Sequence, residues 1–151
     1  MSIKKIIFLA GLSVLFAGCS TTRFGGSDTL SAHYSDASTA MGVRYLLGRG
    51  VPQADAKAFQ YFSEAADNDD PFAENEVAYM YAAGKGTTKD YTKAFFYYQK
   101  AANHGLGSAE YNLGLLYLKG LGTKQDPVLA AQWFKKSAAR GFQPANRLLS
   151  S

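Results

Sequence analysis

Residues 109–122 read AEYNLGLLYLKGLG, and the same landmarks recur in ASTAMGVRYLLGRG at 37–50 and in AENEVAYMYAAGKG at 73–86. Each copy begins with alanine, carries tyrosine at its ninth position and ends in Gly-x-Gly, and the copies lie 36 residues apart. A fixed period of this length is typical of stacked-repeat proteins, in which no single unit buries its own apolar face. Because such folds mostly present surfaces to other molecules, the pattern favours a binding protein.

The pattern within each unit predicts two helices joined by a turn. Apolar or small residues at i, i+4 and i+8, as in Ala109, Leu113 and Tyr117, form one stripe along a helix. The Gly-x-Gly triplet then ends that helix and turns the chain back. Asp126–Pro127 opens the second helix with a capping carboxylate and a first-turn proline. Small residues such as Gly114 are expected to let neighbouring helices approach closely. The rings of the second helices keep the same period, at Tyr61, Tyr97 and Trp133 and at Phe62, Tyr98 and Phe134.

These residues together resemble the Sel1-like repeat, a relative of the tetratricopeptide repeat. The third unit follows the family pattern A-x-x-x-L-G-x-x-Y-x-x-G-x-G from Ala109 to Gly122 and closes on Gly141. The resemblance covers residues 37–141 and implies an all-α fold, an α-α superhelical solenoid of three helix-turn-helix repeats that binds proteins. The earlier units depart from the pattern at Met41 for leucine, Asp69 for the closing glycine and Val77–Ala78 for Leu-Gly.

The repeat domain is predicted to span residues 36–151. Its final segment is expected to form a short helix in which Ala145, Leu148 and Leu149 cover the exposed end of the third repeat, as terminal units of solenoids do. The predicted parts of the domain are repeats at about 37–69, 70–105 and 106–141 and a cap at 142–151.

The first 19 residues have a pattern of their own. Lys4 and Lys5 precede an apolar or small run over 6–17, and Ala17–Gly18–Cys19 follows. This resembles a bacterial lipoprotein signal peptide at 1–18 with its lipobox. The run is shorter than the roughly 20 apolar residues that a membrane-spanning helix needs. The resemblance implies that Cys19 carries the lipid.

The segment 19–35 is rich in serine, threonine and glycine, which predicts a flexible tether from the lipidated Cys19 to the repeats. Ser20, directly after the cysteine, implies sorting to the bacterial outer membrane, with the protein lipid-anchored and facing the periplasm. The chain contains a single cysteine, so the repeats are expected to hold no disulfide.

Charge argues against nucleic acid as a partner. The formal net charge is +4, and removing Lys4 and Lys5 leaves 14 basic against 12 acidic residues. Such a small excess, without a dense basic stripe, does not predict nucleic-acid binding.

The residues that usually carry chemistry are scattered. His33 and His104 are expected to be surface residues, and neither belongs to a zinc-binding pattern or a serine-hydrolase elbow. The triplet Gly84–Lys85–Gly86 is the turn of the second repeat and not a phosphate loop, because it ends a helix. Asp67, Asp69 and Asp70 are expected to form a solvated turn. We therefore expect no catalytic residue, no metal and no cofactor.

A partner is expected on the concave side of the solenoid, at positions that change from unit to unit. Tyr79 and Tyr111 are the expected main contributors, since a tyrosine ring supplies apolar area and a polar end. The alternative is that several of these side chains pack against the next repeat. The full set of concave candidates is Thr39, Val43, Asn75, Tyr79, Tyr111, Leu115 and Lys119.

A second candidate surface lies on the outer face of the second repeat. Phe96 stands where the sister units carry Gln60 and Gln132. An aromatic residue in place of a polar one is expected to be exposed and to mark a contact site.

The function predicted first is a lipid-anchored, non-enzymatic adaptor that holds an envelope or secretion-system protein. The alternative is an immunity lipoprotein that binds and neutralises a toxic effector, for example a phospholipase of a secretion system. An enzyme such as a cell-wall hydrolase ranks third, because no nucleophile constellation is present.

Overall fold

The computed structural model describes residues 36–149, and this part of the chain forms seven α-helices and no strand. The all-α prediction is confirmed. The predicted signal peptide, Cys19 and the tether lie outside the described residues. The helices are α1 Ala37–Leu47, α2 Asp55–Asp67, α3 Pro71–Ala83, α4 Tyr91–Asn103, α5 Gly107–Lys119, α6 Pro127–Ala139 and α7 Gln143–Leu149.

Aspartates cap the first turns of α1, α3, α4 and α6. The Oδ1 atom of Asp70 accepts a hydrogen bond from the Phe72 amide at 2.9 Å, and Pro71 occupies the first turn of α3. Asp126 caps α6 in the same way, accepting from the amides of Val128 and Leu129. These bonds satisfy amides that have no partner within a helix. The two predicted Asp-Pro caps are therefore confirmed.

Left-handed glycines end the first helix of each repeat. Gly48, Gly84 and Gly120 have φ of 66°, 70° and 65°. Each of these amides donates to a carbonyl of the preceding turn, for example that of Leu116 in the third repeat. The second glycine of the triplet lies against the preceding repeat, because a Cβ added at Gly122 would collide with the carbonyl of Tyr91. The Gly-x-Gly triplet is therefore both a turn and a contact between repeats.

The helices stack in chain order. Helices α1 and α2, α3 and α4, and α5 and α6 pack as pairs, and each pair also contacts the next helix along the chain. Glycine permits the closest contact within a pair: a Cβ added at Gly114 would lie 2.6 Å from the Phe134 ring. Gly42 has the same relation to Phe62. The middle helix α3 is buried without interruption from Ala73 to Met80.

The turn after α2 shows how the first repeat tolerates its missing glycine. Asp69 has φ of 59°, the left-handed conformation that Gly105 and Gly141 adopt at the equivalent positions. Short polar residues such as aspartate enter this region more readily than other side chains. The departure from the repeat pattern therefore changes the side chain and not the turn.

The last helix, α7, covers the third repeat only in part. Ala145 is buried in a cluster with Tyr111 and Phe134, whereas Leu148 is 43% exposed. The capping role predicted for Ala145 is confirmed, Leu148 is partly exposed, and the side chain of Leu149 lies outside the described residues. None of the helices within 36–149 has the length and apolar character needed to cross a membrane.

Candidate functional site

Six of the seven concave candidates are buried. Their expected exposure is therefore wrong, although their effect on partner binding stays a prediction. Lys119 is half-buried. The relative exposures of the six are Thr39 0%, Val43 1%, Asn75 1%, Tyr79 3%, Tyr111 4% and Leu115 7%.

Contacts within the stack bury these side chains, and two of them reach the next repeat. Thr39 Oγ1 donates a hydrogen bond of 2.6 Å to Oδ2 of Asp70, which caps the following repeat. The Asn112 amide lies 3.4 Å from Oδ1 of Asn75, again across a repeat boundary. The Tyr111 ring packs within its own repeat against Phe134, with ring centroids 5.4 Å apart, and against Phe142, just before α7, at 5.5 Å. The face that was expected to hold a partner instead joins the repeats.

A polar network is buried in that face. The Asn75 amide donates to Oε1 of Glu76 at 3.1 Å, and burial raises the pKa of Glu76 to about 8. Burial also raises the pKa of Tyr79, with Glu76 as a second cause. The Tyr79 hydroxyl is buried without a hydrogen-bond partner. These groups are enclosed, so they act on the stability of the stack and offer no surface to a partner.

Phe96 on α4 is exposed, as predicted, with 56% of its surface accessible. Its ring meets the Tyr97 ring edge-on at 5.3 Å, and Tyr97 stacks on Tyr81 at 6.0 Å. Gln60 and Gln132, at the equivalent positions of the sister repeats, are also exposed. Phe96 is the one aromatic among the exposed large apolar side chains of residues 36–148, the others being Leu47, Leu118, Val128 and Leu148.

A buried carboxylate that the sequence reading missed lies between the second and first repeats. Glu74 is fully buried, and its Oε1 is 3.0 Å from Nζ of Lys100. Lys100 also meets Asp69 at 3.1 Å, and His104 Nε2 lies 3.8 Å from Oε2 of Glu74. The hydrogen bonds to Glu74 and Asp69 raise the pKa of Lys100. Asp69 and His104 are exposed, as expected, yet Asp69 pairs with the half-buried Lys100 and His104 meets the buried Glu74.

The same cluster has the donor set of a metal site. One ligand atom each from Asp69, Glu74 and His104 lies within 4.8 Å of the others. The ammonium of Lys100 already contacts both carboxylates and supplies the compensating positive charge. We therefore assign the cluster to an internal ion-pair network and derive no metal site from it.

The third repeat carries a related but open arrangement. Glu110 is 2% exposed, and its Oε1 lies 3.7 Å from Nε of Arg140. Lys136 Nζ sits 3.9 Å from the centroid of the Trp133 ring. These side chains, with Asn103, line a cleft of about 430 Å³. Burial raises the pKa of Glu110, and the nearby Arg140 and Lys136 oppose that shift.

A periodic signal for both clusters was present in the sequence. The position of Glu74 becomes Glu110 one period later, that of Lys100 becomes Lys136 and that of His104 becomes Arg140. A charge that repeats in register with apolar core positions indicates a shared structural contact. These charges repeat as regularly as the rings and glycines that define the repeats.

The comparisons with known proteins agree with the repeat boundaries and the fold. A family model described as the Sel1 repeat matches residues 35–70, 71–106 and 107–142. No curated protein matches the chain. A Sel1 repeat protein from Oxalobacter formigenes is 39% identical, with a TM-score of 0.69, over 80% of this chain and 87% of that one.

Two further solved structures are similar. The first is c5321, a protective antigen of uropathogenic Escherichia coli with an SLR fold, 28% identical with a TM-score of 0.70 over 91% of this chain and 30% of that one. The second is Helicobacter pylori cysteine rich protein B, 20% identical with a TM-score of 0.66 over 97% of both chains. At that identity the last likeness concerns the fold alone.

Proposed function

Because the chain belongs to the Sel1 repeat family, we propose that it is a lipid-anchored, non-enzymatic scaffold that holds a protein partner on the periplasmic face of the bacterial outer membrane. Sel1 repeat proteins are helical scaffolds for protein interaction. The membrane part of the proposal rests on the lipoprotein-like segment that ends in Cys19.

The exposed ring of Phe96 carries the proposal that this scaffold has a contact site. An exposed phenylalanine gains on the order of 2 kcal/mol when a partner buries it. Its base is rigid, because Tyr97 supports it edge-on and is itself stacked on Tyr81. An anchor that is ordered before binding loses little freedom on association. We call Phe96 and Tyr97 the Phe96 surface.

Replacing Phe96 with glutamine, the residue of both sister repeats, is expected to weaken partner binding about thirtyfold. Removing an aromatic anchor from an interface often costs about 2 kcal/mol. The melting temperature should not fall, since the side chain is exposed.

The partner would be captured from solubilised membranes with the full-length tagged chain, and its affinity measured for both forms. Gln132→Ala on α6 is the matched control. Unchanged affinity for Phe96→Gln would remove the Phe96 surface from the account.

Replacing Cys19 with alanine is expected to leave the chain unprocessed or released from the membrane. Several acyl chains on Cys19 would hold the protein firmly, because each buried methylene contributes roughly 0.8 kcal/mol. Cys19 is the single cysteine of the chain, so the change removes no disulfide. Membrane fractionation and the intact mass of the product measure the effect. A mutant that is processed and fractionates like the wild type would overturn the anchoring proposal.

The immunity role is the second form of the proposal. A scaffold that neutralises an effector and one that assembles an envelope complex need the same kind of surface, so the identity of the captured partner separates them. If the partner kills cells when produced in the periplasm without this chain, the immunity role is correct. A harmless envelope or secretion-system component favours the adaptor.

A further inference from the structure

The cleft between the second and third repeats is lined by charged and polar side chains that have few partners within the protein. Its floor is Glu110 on α5, and its sides include Asn103 at the end of α4 and Trp133, Lys136 and Arg140 on or just after α6. Its volume of about 430 Å³ is large enough for a short peptide segment.

Comparison with the preceding repeat explains why this cleft is open. There, Lys100 reaches directly to Glu74 at 3.0 Å and closes over it. In the third repeat the equivalent lysine, Lys136, instead lies over the ring of Trp133 at 3.9 Å. Both repeats have a glutamate and a lysine at equivalent positions. Only Glu74 and Lys100 form the ion pair, because Lys136 lies on the Trp133 ring and not beside Glu110.

A glycine also helps to open the site. Gly105 takes the place that Asp69 occupies in the preceding repeat. A Cβ at Gly105 would lie 2.9 Å from a terminal nitrogen of Arg140. The missing side chain therefore gives the guanidinium its place beside the cleft and removes the carboxylate that would neutralise it.

The charges around the cleft are unbalanced. Two cations, Lys136 and Arg140, face one carboxylate, Glu110. Within residues 36–149 no carboxylate oxygen lies within 4.0 Å of Lys136 Nζ, and Arg140 makes only a long 3.7 Å contact. The Oε2 atom of Glu110 is buried and accepts no hydrogen bond. Lys136 and Arg140 therefore carry positive charge that Glu110 balances only in part, and Oε2 of Glu110 has no hydrogen-bond donor.

We propose that this cleft binds a carboxylate-bearing peptide segment. The carboxylate lies between Lys136 and Arg140, the apolar atoms of the segment pack on the indole of Trp133, and a peptide N–H donates to Glu110 once Arg140 turns to the ligand. A guanidinium binds a carboxylate through paired hydrogen bonds, and charge assistance makes such bonds about twice as strong as neutral ones. This inference rests on the proposed scaffold function and names the chemistry of a second contact, separate from the Phe96 surface.

Trp133 provides a direct probe, because it is the only tryptophan in the chain. Its fluorescence would be followed in the full-length protein in a mild neutral detergent during titration with short peptides that lack aromatic residues. One peptide has a central glutamate and an amidated end, a second has leucine there and a free terminal carboxylate, and a third has glutamine and an amidated end. We expect a saturable change with a peptide that carries a carboxylate and none with the third. Which of the first two binds more tightly identifies a side-chain or a terminal carboxylate as the natural group.

Charge-neutral variants test the two cations. Lys136→Gln and Arg140→Gln are each expected to weaken binding about tenfold, the loss of roughly one charge-assisted hydrogen bond. Lys135→Gln is the matched control, since Lys135 is exposed on the same helix and does not line the cleft. It is expected to bind like the wild type. Lys136 and Arg140 also offset the charge of the buried Glu110, so Lys136→Gln and Arg140→Gln are expected to lower the melting temperature somewhat, and binding is compared at a temperature where every variant is folded.

Three results would overturn the inference. They are the absence of a saturable change with both carboxylate peptides, an equal loss in Lys135→Gln, and equal binding of the glutamine peptide. If the peptides fail while the partner is still captured through Phe96, this inference fails and the scaffold function stands. If both fail, the scaffold function fails as well.

Discussion

Gly122→Ala is expected to destabilise the protein by roughly 3 kcal/mol or more, whereas Gly50→Ala costs only about 1 kcal/mol. The two glycines have nearly the same backbone conformation, with φ of 70° and 72°. Alanine in the left-handed region costs roughly 1–2 kcal/mol at either position. At Gly122 the new Cβ also collides with the backbone of Tyr91 at the start of α4, while at Gly50 it meets no described atom within 4 Å. Overpacking against backbone adds typically 1–3 kcal/mol.

Urea unfolding of the two variants side by side measures this difference. Because both changes add the same methyl group in the same conformation, the excess loss at Gly122 reports the contact between repeats alone. A solenoid is held by its repeat interfaces as well as by each repeat, so this contact should affect the whole stack. Equal losses at the two positions would mean that the second glycine of the triplet serves only the turn.

Glu76→Gln is expected to stabilise the protein at neutral and alkaline pH and to flatten its dependence on pH. Glu76 is 2% exposed, and its folded pKa of about 8 lies far above the ordinary value of 4.5. At a pH between about 4.5 and about 8, Glu76 is protonated in the folded chain and ionised in the unfolded chain. The free energy of unfolding therefore falls as pH rises from about 4.5 to about 8, by at most roughly 5 kcal/mol, and levels off above that range.

Glutamine keeps the acceptor for the Asn75 amide and carries no charge, so it removes this penalty. The third repeat already has a neutral amide, Asn112, at the equivalent position. Glu64→Gln is the control, since Glu64 is exposed on α2 and loses the same charge. Urea unfolding at roughly pH 5, 7 and 8.5 would compare the wild type, Glu76→Gln and Glu64→Gln near the two ends and the middle of the range in which Glu76 titrates. If Glu76→Gln shows the same slope with pH as the wild type, Glu76 is not buried as described.

The helical part of the fold was predictable because the relevant interactions are local. An aspartate accepts from the amides of the next turn, as Asp126 does, and a left-handed glycine such as Gly120 ends a helix. Both contacts are made within a few residues, so the residue type alone identifies them. The 36-residue period then carried each assignment from one repeat to the next.

The binding surface was not predictable in the same way. The repeat pattern predicts that one face of each first helix packs in its own repeat and that the other meets a partner. Helix α3 has no free face, because the repeats before and after it bury Asn75 and Tyr79 as well as Ala73 and Val77. An all-round buried helix shows no amphipathic contrast from which a surface could be read. Phe96 was identifiable because it breaks the period on a helix that keeps one exposed face.

The proposed scaffold function is tested most directly by cross-linking in intact cells. A photoreactive phenylalanine analogue at Phe96 is expected to give one defined adduct with a second protein, recovered in the outer-membrane fraction. The same analogue at Gln132, exposed at the equivalent position of the third repeat, is expected to give none. Mass spectrometry of the adduct names the partner. Adducts of equal yield from both positions, or none from position 96, would contradict the account.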